Sequence, residues 1–153
     1  MKARPRSVER EVADYLSRIY RNNGYSPVNR IPILGRTGPD LEINEANLVI
    51  DVKSRIAVPQ SHMLKTDEVG YFGEYVGVRL SDLGKILLKP YYPRPSVMVR
   101  DWLAHMDEWT REFKPNGLSV IILHKPRMKI ANAMFIVKTD DWRNVCKIIN
   151  KPA

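Results

Sequence analysis

The 153-residue sequence contains one cysteine, Cys146, and that scarcity removes two kinds of chemistry. No internal disulfide can form, and no cysteine-based zinc cluster can be built. Cys146 falls in an apolar-patterned segment and reads as a core filler rather than a nucleophile. Long apolar runs are missing as well. Nowhere do about 18 apolar residues follow one another, so no membrane-spanning helix is expected. The basic N-terminal stretch lacks the apolar segment of a signal peptide. No amphipathic basic helix of the membrane-surface kind is present. The expectation is a cytoplasmic protein, in the host cytoplasm if the source is viral. Internal repeats and low-complexity tracts are absent. Acids are in short supply, 17 against 25 lysines and arginines, which leaves a net charge of +8. That excess suits a polyanionic partner, nucleic acid or a membrane surface, although a merely soluble basic protein carries one too.

What is present fits one domain over residues 1–153, long enough to bury a real core. Lys2, Arg4 and Arg6 form a basic arm that can touch phosphates, or a tail with no role. Ser7 can cap a helix running to about Asn22, with Asn23-Gly24 as its stop. Val8, Val12, Leu16 and Ile19 recur at helical spacing as its buried stripe. Glu9 sits one position round from Val8, where an acid also complements the helix dipole. Residues 25–34 read as a strand limited to an edge or bulged course by Pro27 and Pro32, with Arg30 projecting from it. Gly35-Arg36-Thr37-Gly38 is a loop whose glycines allow close approach to a phosphate and whose Arg36 can pair with one.

Residues 38–53 then read as a β-hairpin. Leu41 and Ile43 alternate with polar neighbours, Asn44-Glu45-Ala46-Asn47 makes a polar turn, and Leu48-Val49-Ile50 is a short apolar run. Asp51 and Lys53 are two apart on a strand, so their side chains leave one face. Asp40 opens the neighbouring strand, roughly opposite Asp51. Two carboxylates and an ammonium aimed at one point can hold a divalent cation and orient or activate a water. Taken alone, the same residues fit a surface hairpin with a solvated Asp-Lys pair.

Downstream, Gly70, Gly73, Gly77 and Gly84 break any long element between residues 56 and 97. Pro90-Tyr91-Tyr92-Pro93-Arg94-Pro95 is a stiff aromatic-basic segment. It suits either base stacking or a loop packing its tyrosines on the core. Residues 97–114 read as a helix with Val99, Trp102, Leu103, Met106, Trp109 and Phe113 as a core stripe. Leu118-Ser119-Val120-Ile121-Ile122-Leu123-His124 reads as a buried central strand. Lys125, Arg127 and Lys129 after it are a phosphate-contacting cluster or a solvated turn. A second strand at residues 133–138 leads into a last helix capped by Thr139 or Asp140.

Pro39-Asp40, ten residues, then Asp51-Val52-Lys53 resembles the PD-(D/E)xK nuclease signature. The order helix, strand with Arg-x-Pro, glycine loop, Pro-Asp, apolar run and Asp-Val-Lys-Ser-Arg is most similar to the archaeal and phage Holliday junction resolvases, over residues 7–55. The resemblance implies an α/β fold with a restriction-endonuclease-like core, a mixed five-stranded sheet flanked by helices, with an insertion at 56–97. It implies a metal-dependent, structure-selective DNA endonuclease acting on branched duplex as a homodimer. In the resolvases a glutamate of the first helix completes the metal site, and Glu9 is the matching residue. The implied site is Asp40, Asp51, the Val52 carbonyl and Glu9 around Mg²⁺ or Mn²⁺, with Lys53 beside the attacking water. Arg4, Arg6, Arg30, Arg36, Thr37 and Arg55 are the expected DNA contacts. Two departures stand out. Asp51 takes a position usually held by Glu, and Leu34 takes one where many resolvases carry Ser. Another deoxyribonuclease of the superfamily, or a silent DNA-binding module of the same fold, fits the same residues.

Overall fold

Leu118–His124 is apolar almost throughout, and it forms the strand with neighbours on both sides and helices on both faces. The structure, a computed structural model, describes residues 5–21, 29–30, 41–43, 48–55, 63–85 and 88–149. In chain order these hold α1 (Pro5–Arg21), β1 (Asn29–Arg30), β2 (Leu41–Ile43), β3 (Leu48–Ser54), β4 (Glu68–Tyr71), β5 (Tyr75–Arg79) and β6 (Lys89–Tyr91). Then come α2 (Val97–Phe113), β7 (Leu118–His124), β8 (Met134–Lys138) and α3 (Thr139–Ile149). The eight strands make one mixed sheet in the order β1-β2-β3-β7-β8-β5-β4-β6. The expected α/β class with a mixed sheet and flanking helices is what the chain adopts. The expected count of five strands is corrected to eight.

The hairpin register is Leu41↔Ile50, Glu42↔Val49 and Ile43↔Leu48. β3 then runs parallel to β7, pairing Asp51 with Ile121 and Lys53 with Leu123. A parallel pair needs a long crossover, and here β4, β5, β6 and α2 all lie within it. Alternation along β3 and β7 assigns the two faces. Leu48, Ile50, Val120 and Ile122 pack with Val8, Val12 and Leu16 of α1 and Val145 of α3. Ile121 and Leu123 pack on the other face with Val99 and Leu103 of α2. Each such side chain, taken wholly out of water, contributes about 1.5–3 kcal/mol. Ser119, on the α2 face, donates to Asp107 at 2.7 Å, and its hydroxyl lies 2.8 Å from that of Thr110, so a buried polar pin fixes α2 on β7.

The glycines of residues 56–97 do not break the sheet, as their number suggests they should. Gly70 and Gly77 face each other across β4 and β5. A Cβ on Gly70 would lie 2.7 Å from Phe72 Cε2, and one on Gly77 would lie 3.3 Å from the same atom. The glycines are therefore the space the Phe72 ring occupies. Phe72 is 2% exposed and stacks on Tyr75 at 4.7 Å between centroids. Gly73, at φ +85°, makes the tight turn between the two strands. A second anchor is Asp82, fully buried. Its Oδ2 accepts the Asp67 N–H at 3.1 Å, and its Oδ1 forms an ion pair with Lys85 at 3.1 Å that lacks hydrogen-bond alignment. Asp67, at φ +65°, in turn accepts the Lys89 N–H at 3.0 Å, which ties β6 to the sheet.

Tyr75 gives the fold an alkaline limit. Its hydroxyl accepts the Ser96 N–H at 2.6 Å just ahead of α2. Burial pushes the phenol above its ordinary value, against the opposing pull of the Ser96 bond. The unfolded chain therefore loses this proton first, and stability falls as pH rises past about 10. Urea midpoints measured across that range should drop more steeply for the natural protein than for Tyr75→Phe. Burial raises the Cys146 thiol as well, so its contribution has the same sign.

Candidate functional site

β3 begins wholly apolar and ends polar, and the change comes at Asp51. This carboxylate is buried, 5% exposed, at a point where the strand is held on one side by the parallel ladder to β7. Lys53 leaves the same face two residues on, and its ammonium lies 3.0 Å from Asp51 Oδ2. The expected convergence of Asp51 and Lys53 is therefore present. Two indoles complete the surroundings of that ammonium, Trp102 with its ring centroid at 5.8 Å and Trp109 at 6.0 Å. Arg55 places its guanidinium carbon 5.8 Å from the Trp102 centroid. Contacts of this kind are each worth about 0.5–2 kcal/mol, more as water is excluded. Lys53 is thus held by one carboxylate and two aromatic faces.

Trp102 and Trp109, expected in the core stripe of α2, are half-buried: Trp102 packs on the α2-side core, and both indoles also lie over Lys53. A seven-residue spacing sets them two helical turns apart on one side of α2. That spacing was legible, but nothing local to α2 says which strand it meets. Val52 lies between the two polar side chains and packs toward the opposite face, against the α1 cluster.

Glu9 belongs to α1. It is half-buried on α1, and α1 packs on the Leu48-Ile50 face, whereas Asp51 and Lys53 project toward α2. The packing thus sets α1 on the face of β3 opposite the one that carries the Asp51–Lys53 pair. The cause is strand alternation: the parity that aims Leu48 and Ile50 at Val8 and Val12 aims Asp51 away from them. Asp40 lies outside the described residues. It precedes Leu41 in the sequence, and Leu41 pairs with Ile50, the residue before Asp51. Arg4, Arg36 and Thr37 also lie outside the described residues. Arg6 and Arg30 belong to α1 and β1, with side chains outside the description. Arg55 is exposed at the end of β3.

On the α1 side, at the end of β3, Ser54 Oγ lies 3.3 Å from His124 Nδ1, and His124 Nε2 lies 2.8 Å from the Met128 carbonyl. An Nε2–H tautomer satisfies both contacts, donating to Met128 and accepting from Ser54. An open cleft of 560 Å³ beside them is lined by Glu11, Asp14 and Arg18 of α1 and by Arg127 and Lys129 of the following loop. Its charges are mixed in sign, so Arg127 and Lys129, read with Lys125 as a phosphate cluster or a solvated turn, face acids as well as solvent.

Among the described residues, no three His, Cys, Asp or Glu side chains gather as a metal-binding group. The described donors for a hard cation are the Asp51 carboxylate and the backbone beside it, oxygen ligands of the kind Mg²⁺ takes. No described helix is long and apolar enough to cross a membrane. No protein-family model, no curated protein and no solved structure matches this chain.

Proposed function

We propose that the chain is a Mg²⁺-dependent deoxyribonuclease of the PD-(D/E)xK kind, acting on branched DNA, with Asp51 and Lys53 at its centre. The observation that carries this reading is the pair itself: a buried carboxylate 3.0 Å from a lysine on the same strand face. Lys53 offsets the several kcal/mol that burying the Asp51 carboxylate alone would cost, and the pair occupies the strand face on which the motif resemblance expects it. The order of helix, hairpin, crossover helix and parallel strand supports the same reading, as does the net charge of +8.

In this reading Asp51, Asp40 and the Val52 carbonyl hold the cation. When bound, it neutralises charge on the phosphate and acidifies water. The chain's own residues do the rest. Lys53 would orient the attacking water or donate to a phosphate oxygen. Trp102 and Trp109 keep its ammonium near the strand while it does so. Arg55 and the basic segments contact phosphates, which position the substrate without reading its sequence.

The test is cleavage of a four-way junction against linear duplex of the same sequence, in Mg²⁺ and in EDTA. Cutting that needs Mg²⁺ and prefers the junction is expected. Equal cutting of both would move the protein to another nuclease type. No cutting, with DNA bound, would leave the silent DNA-binding module.

A further inference from the structure

We propose that the segment around Tyr92 is a docking platform for an unpaired nucleic-acid strand, remote from Asp51. The inference rests on the nucleic-acid part of the proposed function and uses none of its chemistry. It starts from an exposure the core does not explain. Tyr92 is 75% exposed and Tyr91 47%, although Tyr91 ends strand β6 and Tyr92 follows it directly. Tyr92 is not loose. It stacks on Tyr71 of β4 with centroids 5.8 Å apart and planes 29° apart. Tyr71 itself is half-buried against the α1 side of the core. One ring is thus anchored, the second rides on it, and the exposure of the second leaves surface for a third. A nucleobase is a flat group of the right size to extend such a stack.

The charges and the backbone agree with that occupant. Lys89 and Arg94 flank the tyrosines and are exposed. Lys89, Tyr92 and Arg94 each precede a proline, namely Pro90, Pro93 and Pro95. A residue before proline is held to extended conformations. The ring and both cations are therefore presented by a stiff backbone that has little freedom left to lose on binding. A flexible strand with alternating bases and phosphates matches flat rings interleaved with cations. A second copy adding to the sheet is a poorer match. Among the described strands β6 is the last in the sheet, and Pro90 at its centre has no N–H to offer a new neighbour. From β3 to β6 is five strand spacings, about 24 Å, so the platform and the Asp51 site are separate surfaces.

The experiment is fluorescence anisotropy with a labelled oligothymidine of about 15 nucleotides and the matching duplex, in EDTA so that no cleavage occurs. The natural protein is expected to bind the single strand, and Tyr92→Ala to weaken that binding about tenfold, the loss of one stacked base. Tyr92→Trp should restore it. Lys89→Gln should lower the salt slope by about 0.7, the loss of one phosphate contact. Unchanged binding by Tyr92→Ala overturns the platform. So does a natural dimer that Tyr92→Ala turns into monomer in sedimentation, since the patch then covers itself. Cleavage is scored separately. Tyr92-dependent strand binding by a protein that never cuts refutes the nuclease chemistry alone. Mg²⁺-dependent cutting with Tyr92-independent binding refutes the platform alone.

Discussion

Asp51→Asn should lower Mg²⁺-dependent cleavage by about a thousandfold and leave the fold intact. The size follows from what the carboxylate supplies. Charge stabilisation by a bound cation is worth several kcal/mol in the transition state, and each 1.36 kcal/mol is a factor of ten. An amide of the same shape still accepts a hydrogen bond from Lys53 but no longer holds a hard cation. The fold should tolerate the change because Lys53, with 19% of its side chain exposed, keeps some contact with water. Single-turnover cleavage under saturating protein measures the loss, and circular dichroism checks the fold. Activity within tenfold of the natural protein would remove Asp51 from the site.

The largest expected effect on stability is at Phe72. Phe72→Ala should cost about 3–5 kcal/mol, the range for emptying a buried aromatic site. Collapse around the hole is hindered, because Gly70 and Gly77 beneath the ring have no side chains to move into it. Against a total of about 5–15 kcal/mol for a domain, that is a large share. Thermal unfolding should begin roughly 10 °C lower, at about 2–4 °C per kcal/mol for a chain of this size. The glycines give the complementary test. Gly70→Ala places a Cβ 2.7 Å from the stiff Phe72 ring, whereas Gly77→Ala places one 2.9 Å from Met134 Cε, the movable end of a flexible chain. Gly70→Ala should therefore destabilise more than Gly77→Ala. The reverse order would mean that the ring does not sit over Gly70.

The elements with strong local pattern were legible without coordinates. The periodic stripe of α2 and the nearly continuous apolar run of β7 give their boundaries to within a residue, and the alternation at Leu41 and Ile43 gives the hairpin. The Asp51–Lys53 contact follows from strand parity alone. What was not legible depends on partners far along the chain. Gly70 and Gly77 look like breakers until Phe72 is seen to lie across both of them. Trp102 and Trp109 read as core, and only the packing of α2 on β3 shows that they also cover Lys53. Glu9 sits beside the buried stripe of α1, and only the packing shows that α1 lies on the Leu48-Ile50 face. Tyr91 and Tyr92 were balanced between core and surface, and their exposure decides for the surface.

The most direct measurement of the central claim is a crystal of the protein soaked in Mn²⁺, read by anomalous scattering. The account predicts one peak within about 2.1 Å of an Asp51 carboxylate oxygen, with Asp40 as a second ligand and the Lys53 ammonium moved off Asp51. A peak elsewhere, or Lys53 still paired to Asp51 with no cation bound at millimolar Mn²⁺, would contradict it.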